Sequence, residues 1–272
     1  TFINPIGFDL DNPEYFTDDE KFIVKQKEII DIYKKMGVKP TLTCTPYYIY
    51  KPSMGEHLAW AESSAIVYAN SILGARTNRE SGISALASAL TGRVAYYGMH
   101  TGEGRKPTIK IKFDFRPEFS DYSTIGLYIG KTIENGIPYF KDIENDLDYL
   151  KILGASMNAT GSIPMFHAEN ITPEWKIYNK EKIEKIVIEK KEIENFSENI
   201  NCKKDADVVF VGCPHLSDKE INEIAKLLKN RRVKKGKELM LFTSRTVKNN
   251  NIDTVREIEK SGAKVFSDTC MV

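Results

Sequence analysis

No Cys-x-x-Cys pair occurs in this 272-residue chain, and its cysteines number four. That excludes a small disulfide scaffold and removes the spacing on which zinc ribbons and thioredoxin-type sites depend. No apolar run reaches the roughly 18 residues that a membrane helix needs. The opening Thr1-Phe2-Ile3-Asn4-Pro5 lacks a basic stretch followed by an apolar one, so no secretory leader is legible. Charge of one sign is also missing. The 39 Lys and Arg against 38 Asp and Glu leave +1, which offers no global field for nucleic acid or an anionic membrane. What is present, 41% hydrophobic and 28% charged residues, is ordinary for a globular protein of one large domain or two. The expected compartment is a reducing cytoplasm. The chain has no initiator Met and stops two residues after Cys270, so a piece of a longer protein is expected.

Periodicity predicts a helix over 19–36, with Phe22, Ile23, Ile29, Ile30 and Ile32 as its buried stripe, Gly37 as its stop, and a strand over 41–43. Ser53 and Glu56 match a capping box, which predicts a helix from there to about Leu73. Further helices are expected over 82–90, 123–134 and from Asp146 to a stop at Gly154, with strands at 95–97 and 108–115. From residue 176 to 204 the composition turns to Lys, Glu, Ile and Asn, which marks a boundary. Beyond it the order is strand 207–211, helix 218–229, strand 238–242, helix 251–261, strand 264–267. That alternation predicts a parallel sheet covered by helices. The division expected is an α/β domain over 1–180 and a second α/β/α sub-domain over 200–272.

Cys44, Cys213 and Cys270 each follow a short β-prone or apolar run. Strand ends are where α/β proteins place ligands. Three thiols from distant positions make a poor disulfide set but can hold a four-iron cube with one iron open to substrate. Cys202, in a charged tract, reads as an incidental thiol. His215, two residues after Cys213, is a candidate supporting group for such a cluster.

Residues 52–75 contain no Lys or Arg. Their polar groups are Glu56, His57, Glu62, Ser63, Ser64, Asn70 and Ser71. On a continuous helix Glu56, Ser63 and Asn70 share one face and His57, Ser64 and Ser71 the next. A ligand-filled cleft accounts for this pattern, and so does a packing surface with internal hydrogen bonds. Arg76, Asn78 and Arg79 follow at a turn before a glycine-started helix, a place suited to carboxylate or phosphate. A solvated turn is the commoner use of such arginines. His100 ends a strand-like run, where a lone His is usually structural. Lys229 to Lys235 is basic, but it is short and lacks interleaved aromatics, so a solvated turn is the better reading.

Several unbroken blocks together resemble the large subunit of the aconitase X family. They are Thr43-Cys44-Thr45-Pro46-Tyr47, the stretch from Gly55 to Ser64, Tyr68-Ala69-Asn70-Ser71, the stretch from Gly74 to Glu80, Gly212-Cys213-Pro214-His215-Leu216-Ser217 and Asp268-Thr269-Cys270. The likeness runs from Asn4 to the last residue, and the family's N-terminal region is not in this chain. The resemblance implies an aconitase-like α/β fold with parallel or mixed sheets covered by helices, and a hydro-lyase reaction. It implies Cys44, Cys213 and Cys270 as ligands of an iron–sulfur cluster, of [4Fe-4S] type with one open iron, or else [2Fe-2S] or a mononuclear iron.

The reaction expected is removal of water from (R)-5-phosphomevalonate to give trans-anhydromevalonate 5-phosphate, in an archaeal-type mevalonate route to isoprenoids. Glu56, His57, Glu62 and Arg79 are the expected catalytic residues. Ser63, Ser64, Asn70, Arg76, Asn78, Arg79 and His100 are expected to contact this phosphorylated hydroxy acid. The resemblance also implies a separate small subunit that carries a serine base. Three alternatives stay open at this point: a cis-3-hydroxy-L-proline dehydratase, a non-catalytic module with three thiols and His215 on zinc, and an RNA-binding regulator. The neutral charge counts against the last, and no nucleic-acid or membrane partner is expected.

Overall fold

Side-chain caps mark where several helices of this chain begin. A computed structural model describes residues 1–133, 136–178, 183–200 and 205–270. Its helices are α1 (Glu20–Lys35), α2 (Ser63–Ser71), α3 (Gly82–Thr91), α4 (Phe119–Thr132), α5 (Leu147–Gly161), α6 (Lys190–Ile200), α7 (Asp218–Leu228), α8 (Arg245–Asn250) and α9 (Ile252–Lys260). Its strands are β1 (Ile109–Phe113), β2 (Pro138–Phe140), β3 (His167–Ala168), β4 (Glu184–Ile188), β5 (Val208–Leu216), β6 (Glu238–Thr243) and β7 (Lys264–Phe266). Asp19, Asp146, Ser217 and Ser244 each accept main-chain N–H bonds at the start of α1, α5, α7 and α8, satisfying donors the helix cannot.

The chain forms two compact units: Thr1–Ile49 with Lys203–Val272, and Tyr50–Cys202. This differs from a linear split near residue 180–200, because the first residues pair with the last ones. Ile6 bridges Thr269 in parallel, and Asp9 accepts the Ser267 N–H at 2.7 Å. Cys202 lies outside the described residues.

In the unit of residues 50–202, β1 pairs in parallel with β2 and with β4, and β2 pairs in parallel with β3. Its core gathers Ile66 and Val67 of α2, Ile125 and Ile129 of α4, Leu150, Leu153 and Met157 of α5, and Phe140 and Phe166. In the other unit β6 lies between β5 and β7, all parallel, over a core of Leu216, Ile221, Leu241, Val255, Ile258 and Val265. The α/β architecture with helix-covered parallel sheets is as the sequence predicts.

Five local expectations fail. The helix expected from Ser53 starts only at Ser63. Glu56 does accept the Ser53 N–H at 2.9 Å, but Gly55 turns to φ +80 and the chain then pairs with Arg76. Arg76 N–H donates to the Glu56 carbonyl at 2.8 Å, and Leu58 N–H donates to the Arg76 carbonyl at 2.9 Å. The strand expected over 41–43 is a loop, because Leu42 is left-handed at φ +47. Residues 95–97 form no strand and lead into a 3-10 turn, Gly98–His100. Gly154 does not stop α5. A Cβ there would lie 2.6 Å from Val67 Cγ1, so its glycine permits close packing of α5 on α2. The stripe on α1 is not buried as expected: Ile30 is buried, whereas Phe22, Ile29 and Ile32 are exposed.

Candidate active-site residues in the two units

All three cysteines of interest fall in the unit made of the chain ends, and none is in a disulfide. Cys44 is buried in the loop before the 3-10 turn Pro46–Tyr48, Cys213 is exposed within β5, and Cys270 is half-buried four residues after β7. Cys44 therefore does not end a strand. The three segments share another property: each has a positive φ one or two residues before its thiol. Leu42 is at +47, Gly212 at +124 and Asp268 at +65. Non-glycine residues adopt this region rarely and at a cost, so surrounding contacts must hold it. Asp268 is held by Arg245, whose Nε donates to Oδ1 at 3.0 Å and whose NH2 pairs with Oδ2. Arg245 also reaches Asp11 at 2.7 Å. Gly212 is required by proximity, since a Cβ there would sit 2.3 Å from the Phe242 carbonyl oxygen of β6.

His215 connects these segments. Its main-chain N–H donates to Cys44 Sγ at 3.2 Å, its Nδ1 meets Thr43 Oγ1 at 2.9 Å, and its Nε2 meets the Thr269 carbonyl at 2.8 Å. By chemistry the set suits an iron–sulfur group: three thiols in one unit, one already receiving an N–H bond of the kind that favours thiolate. Among the described residues no three His, Cys, Asp or Glu side chains gather around a single metal ion. Zinc closed by His215 is disfavoured, because both its ring nitrogens are hydrogen-bonded.

The unit of residues 50–202 holds the acid, arginine and histidine candidates. Glu62 precedes α2, and the adjacent Ser63 hydroxyl donates to its Oε1 at 3.5 Å. Burial raises the Glu62 pKa, opposed by Ser63 and by the charge of Arg79. Arg79 is exposed. Glu62, Ser63 and Arg79 thus act on one carboxylate. A second group joins His57, His100 and Arg76. The two imidazoles stack with centroids 5.0 Å apart, and their Nδ1 atoms approach to 2.8 Å, so one nitrogen donates to the other. Arg76 NH1 donates to the His100 carbonyl at 2.8 Å. Burial and then the neighbouring His57 lower the His100 pKa, so the ring is held neutral.

Other expected contacts are engaged in holding the fold. The Asn70 amide donates to the carbonyls of Thr77 and Pro164 and accepts from Thr77 N–H and Arg105. Asn78 donates to the Tyr97 carbonyl and accepts from Met99 N–H. Glu56 accepts from the Tyr50 hydroxyl at 2.5 Å, and Ser64 is buried within α2. Eight of the nine α2 residues are buried, which explains the missing lysines as interior placement.

Two networks were not anticipated from sequence. Arg105 is fully buried, with its Nε 2.8 Å from Glu174 and further bonds to Asn70 and Met99. His167 Nε2 donates to the Arg105 carbonyl at 2.8 Å. The other is the Thr43–Thr45–His215 chain. Its one sequence signal is the run of hydroxyls flanking Cys44.

A two-unit α/β chain with parallel sheets and three free thiols in one unit defines a class, and the family comparison places it. The chain belongs to the aconitase X family: the models for the first, second and third aconitase X domains match residues 1–103, 107–198 and 206–272. It is 44% identical over 285 residues to the phosphomevalonate dehydratase large subunit of Methanocaldococcus jannaschii, covering 99% of this chain and 70% of that one. It is 43% identical to the protein of the same name from Methanosarcina mazei, covering 99% and 68%. A cis-3-hydroxy-L-proline dehydratase of Pseudomonas aeruginosa is 30% identical, covering 88% of this chain and 44% of that one. The holo-form structure of Thermococcus kodakaraensis aconitase X superposes with a TM-score of 0.90 at 40% identity, covering 99% and 69%.

Proposed function

We propose that this chain is the large subunit of an iron–sulfur hydro-lyase that removes water from (R)-5-phosphomevalonate. The observation that carries the reading is identity of 38–44% over 96–99% of the chain to four archaeal relatives bearing the phosphomevalonate dehydratase name. Cys44, Cys213 and Cys270 would hold a cluster, of [4Fe-4S] type with an open iron. When bound, it supplies a Lewis acid for a substrate oxygen. Glu62, whose pKa burial raises, is the carboxyl suited to give a proton to the leaving hydroxyl. The exposed Arg79 guanidinium suits the substrate carboxylate or phosphate. His57 and His100 hold one proton between their Nδ1 atoms, a short path for relaying it. Ser63 orients Glu62. The relatives' names include "large subunit", which supports a separate small subunit; our reading places the proton-abstracting base on a serine there. No helix among the described residues is long and apolar enough to cross a membrane, in keeping with a cytoplasmic enzyme.

The test is anaerobic iron reconstitution of the complete protein with its small subunit, followed by an assay for water loss from 5-phosphomevalonate. Turnover lost in Cys44→Ser is expected. Iron uptake with turnover only on hydroxyproline substrates would replace the substrate assignment. No iron uptake would remove the cluster.

A further inference from the structure

His215 touches, or immediately follows, each of the three thiol segments, and its bonds fix their proton directions. Nε2 faces a carbonyl oxygen, that of Thr269, which can only accept. Nε2 therefore carries a proton, and in the Nε2-protonated tautomer Nδ1 is an acceptor. The Thr43 hydroxyl must then donate to Nδ1. Having spent its proton, Thr43 Oγ1 accepts from Thr45, both from its main-chain N–H at 3.1 Å and from its hydroxyl at 3.0 Å. The chain Thr45, Thr43, His215, Thr269 thus runs in one direction. Thr43, Thr45, His215 and Thr269 are all buried to within 1%. Thr43 precedes Cys44, Thr269 precedes Cys270, and His215 follows Cys213 by two residues. The His215 main-chain N–H meanwhile donates to Cys44 Sγ.

We infer that His215 is the positioning residue of the thiol site: its imidazole, donating from Nε2, ties the three cysteine segments together before any cluster is bound, and its main-chain N–H is thereby aimed at Cys44 Sγ. The inference rests on the ligand assignment proposed above. An imidazole is suited to the role because it spans two partners on opposite sides with one donor and one acceptor on a rigid ring. The bond to Cys44 Sγ stabilises the thiolate and, in a bound cluster, sets the charge on that sulfur. The main-chain N–H survives any substitution, but its aim depends on the ring's two anchors.

The test uses the complete large subunit with its small subunit, reconstituted with iron without air, and compares His215→Ala, Thr43→Val and Thr43→Ser with the unaltered protein. The readouts are the visible spectrum, the rate of iron loss to a chelator, and the melting of the apoprotein. His215→Ala is expected to weaken iron retention about 10–100-fold. Thr43→Val, which removes only the hydroxyl bond, is expected to fall between, and Thr43→Ser to match the unaltered protein. Iron retention and spectrum unchanged in His215→Ala would overturn the inference. If that variant does not fold, unchanged retention in Thr43→Val does the same. Cys44→Ser serves as control: a control that keeps iron as the unaltered protein does would overturn the ligand assignment beneath it.

Discussion

His100 has no exposed surface, and Arg76 and Arg105 add positive charge near it, opposed by Glu80 alone. Its folded-state pKa lies below the ordinary value of about 6.5. Above that value the ring is neutral in both states and costs nothing. As pH falls through about 6.5 the unfolded chain takes up the proton first, so stability declines until the folded pKa is passed. Urea unfolding of wild type and His100→Gln between pH 8 and 5 should show the steeper acid loss in wild type; parallel curves would exclude this role. Glu62 shows the opposite tendency, a carboxyl held protonated to higher pH by burial. Glu62→Gln keeps the shape but cannot hand over a proton, and kcat should fall about 10²–10⁴-fold. Arg79→Ala should move the Glu62 limb of the pH–rate profile upward, because the charge that opposes burial is gone. The buried Arg105–Glu174 pair has another kind of importance. Arg105→Met strands a buried carboxylate and should cost roughly 3–5 kcal/mol in unfolding free energy.

At the scale of elements, α1, α3, α5, α7 and the strand–helix alternation after residue 206 were legible in the sequence, because local chemistry sets them, whereas the short α8 capped by Ser244 was not. α7 shows this well: Ser217 and Glu220 close a reciprocal capping box as their spacing foretells. Ser53 and Glu56 have that same spacing and make half of that bond set, yet no helix follows. There the pairing of residues 56–58 with Arg76, eighteen or more residues away, outweighs the local signal. Gly154 misled for the converse reason, since its missing side chain serves packing rather than a turn. The glycine before Cys213 combines both needs, with φ +124 and contact with β6. Gly212→Ala should therefore part β5 from β6 near the thiol, lowering the melting temperature and iron retention together. Unchanged retention would show that Cys213 is placed by other contacts.

Across the whole molecule, the three cysteines and His215 could be singled out from their sequence surroundings, but not the bonds by which that ring ties the segments. His215 reaches Thr43, 172 residues away, and Thr269, 54 residues away. No local pattern encodes such pairings. The expected placement of Glu56 and His57 on the Ser63–Asn70 helix failed because it assumed one continuous helix, whereas the His57–His100 contact joins a loop to a 3-10 turn. One order of events follows from the unit built of chain ends. A ribosome adds about 5–20 residues per second, so Cys44 emerges on the order of ten to fifty seconds before Cys270. Throughout that interval its thiol lacks two of its partners, and the Thr269 carbonyl that locks His215 does not yet exist. On the proposed ligand assignment iron loading is thus a late event in biogenesis, and the nascent chain passes through a window in which Cys44 is open to oxidants that the finished fold excludes by burial.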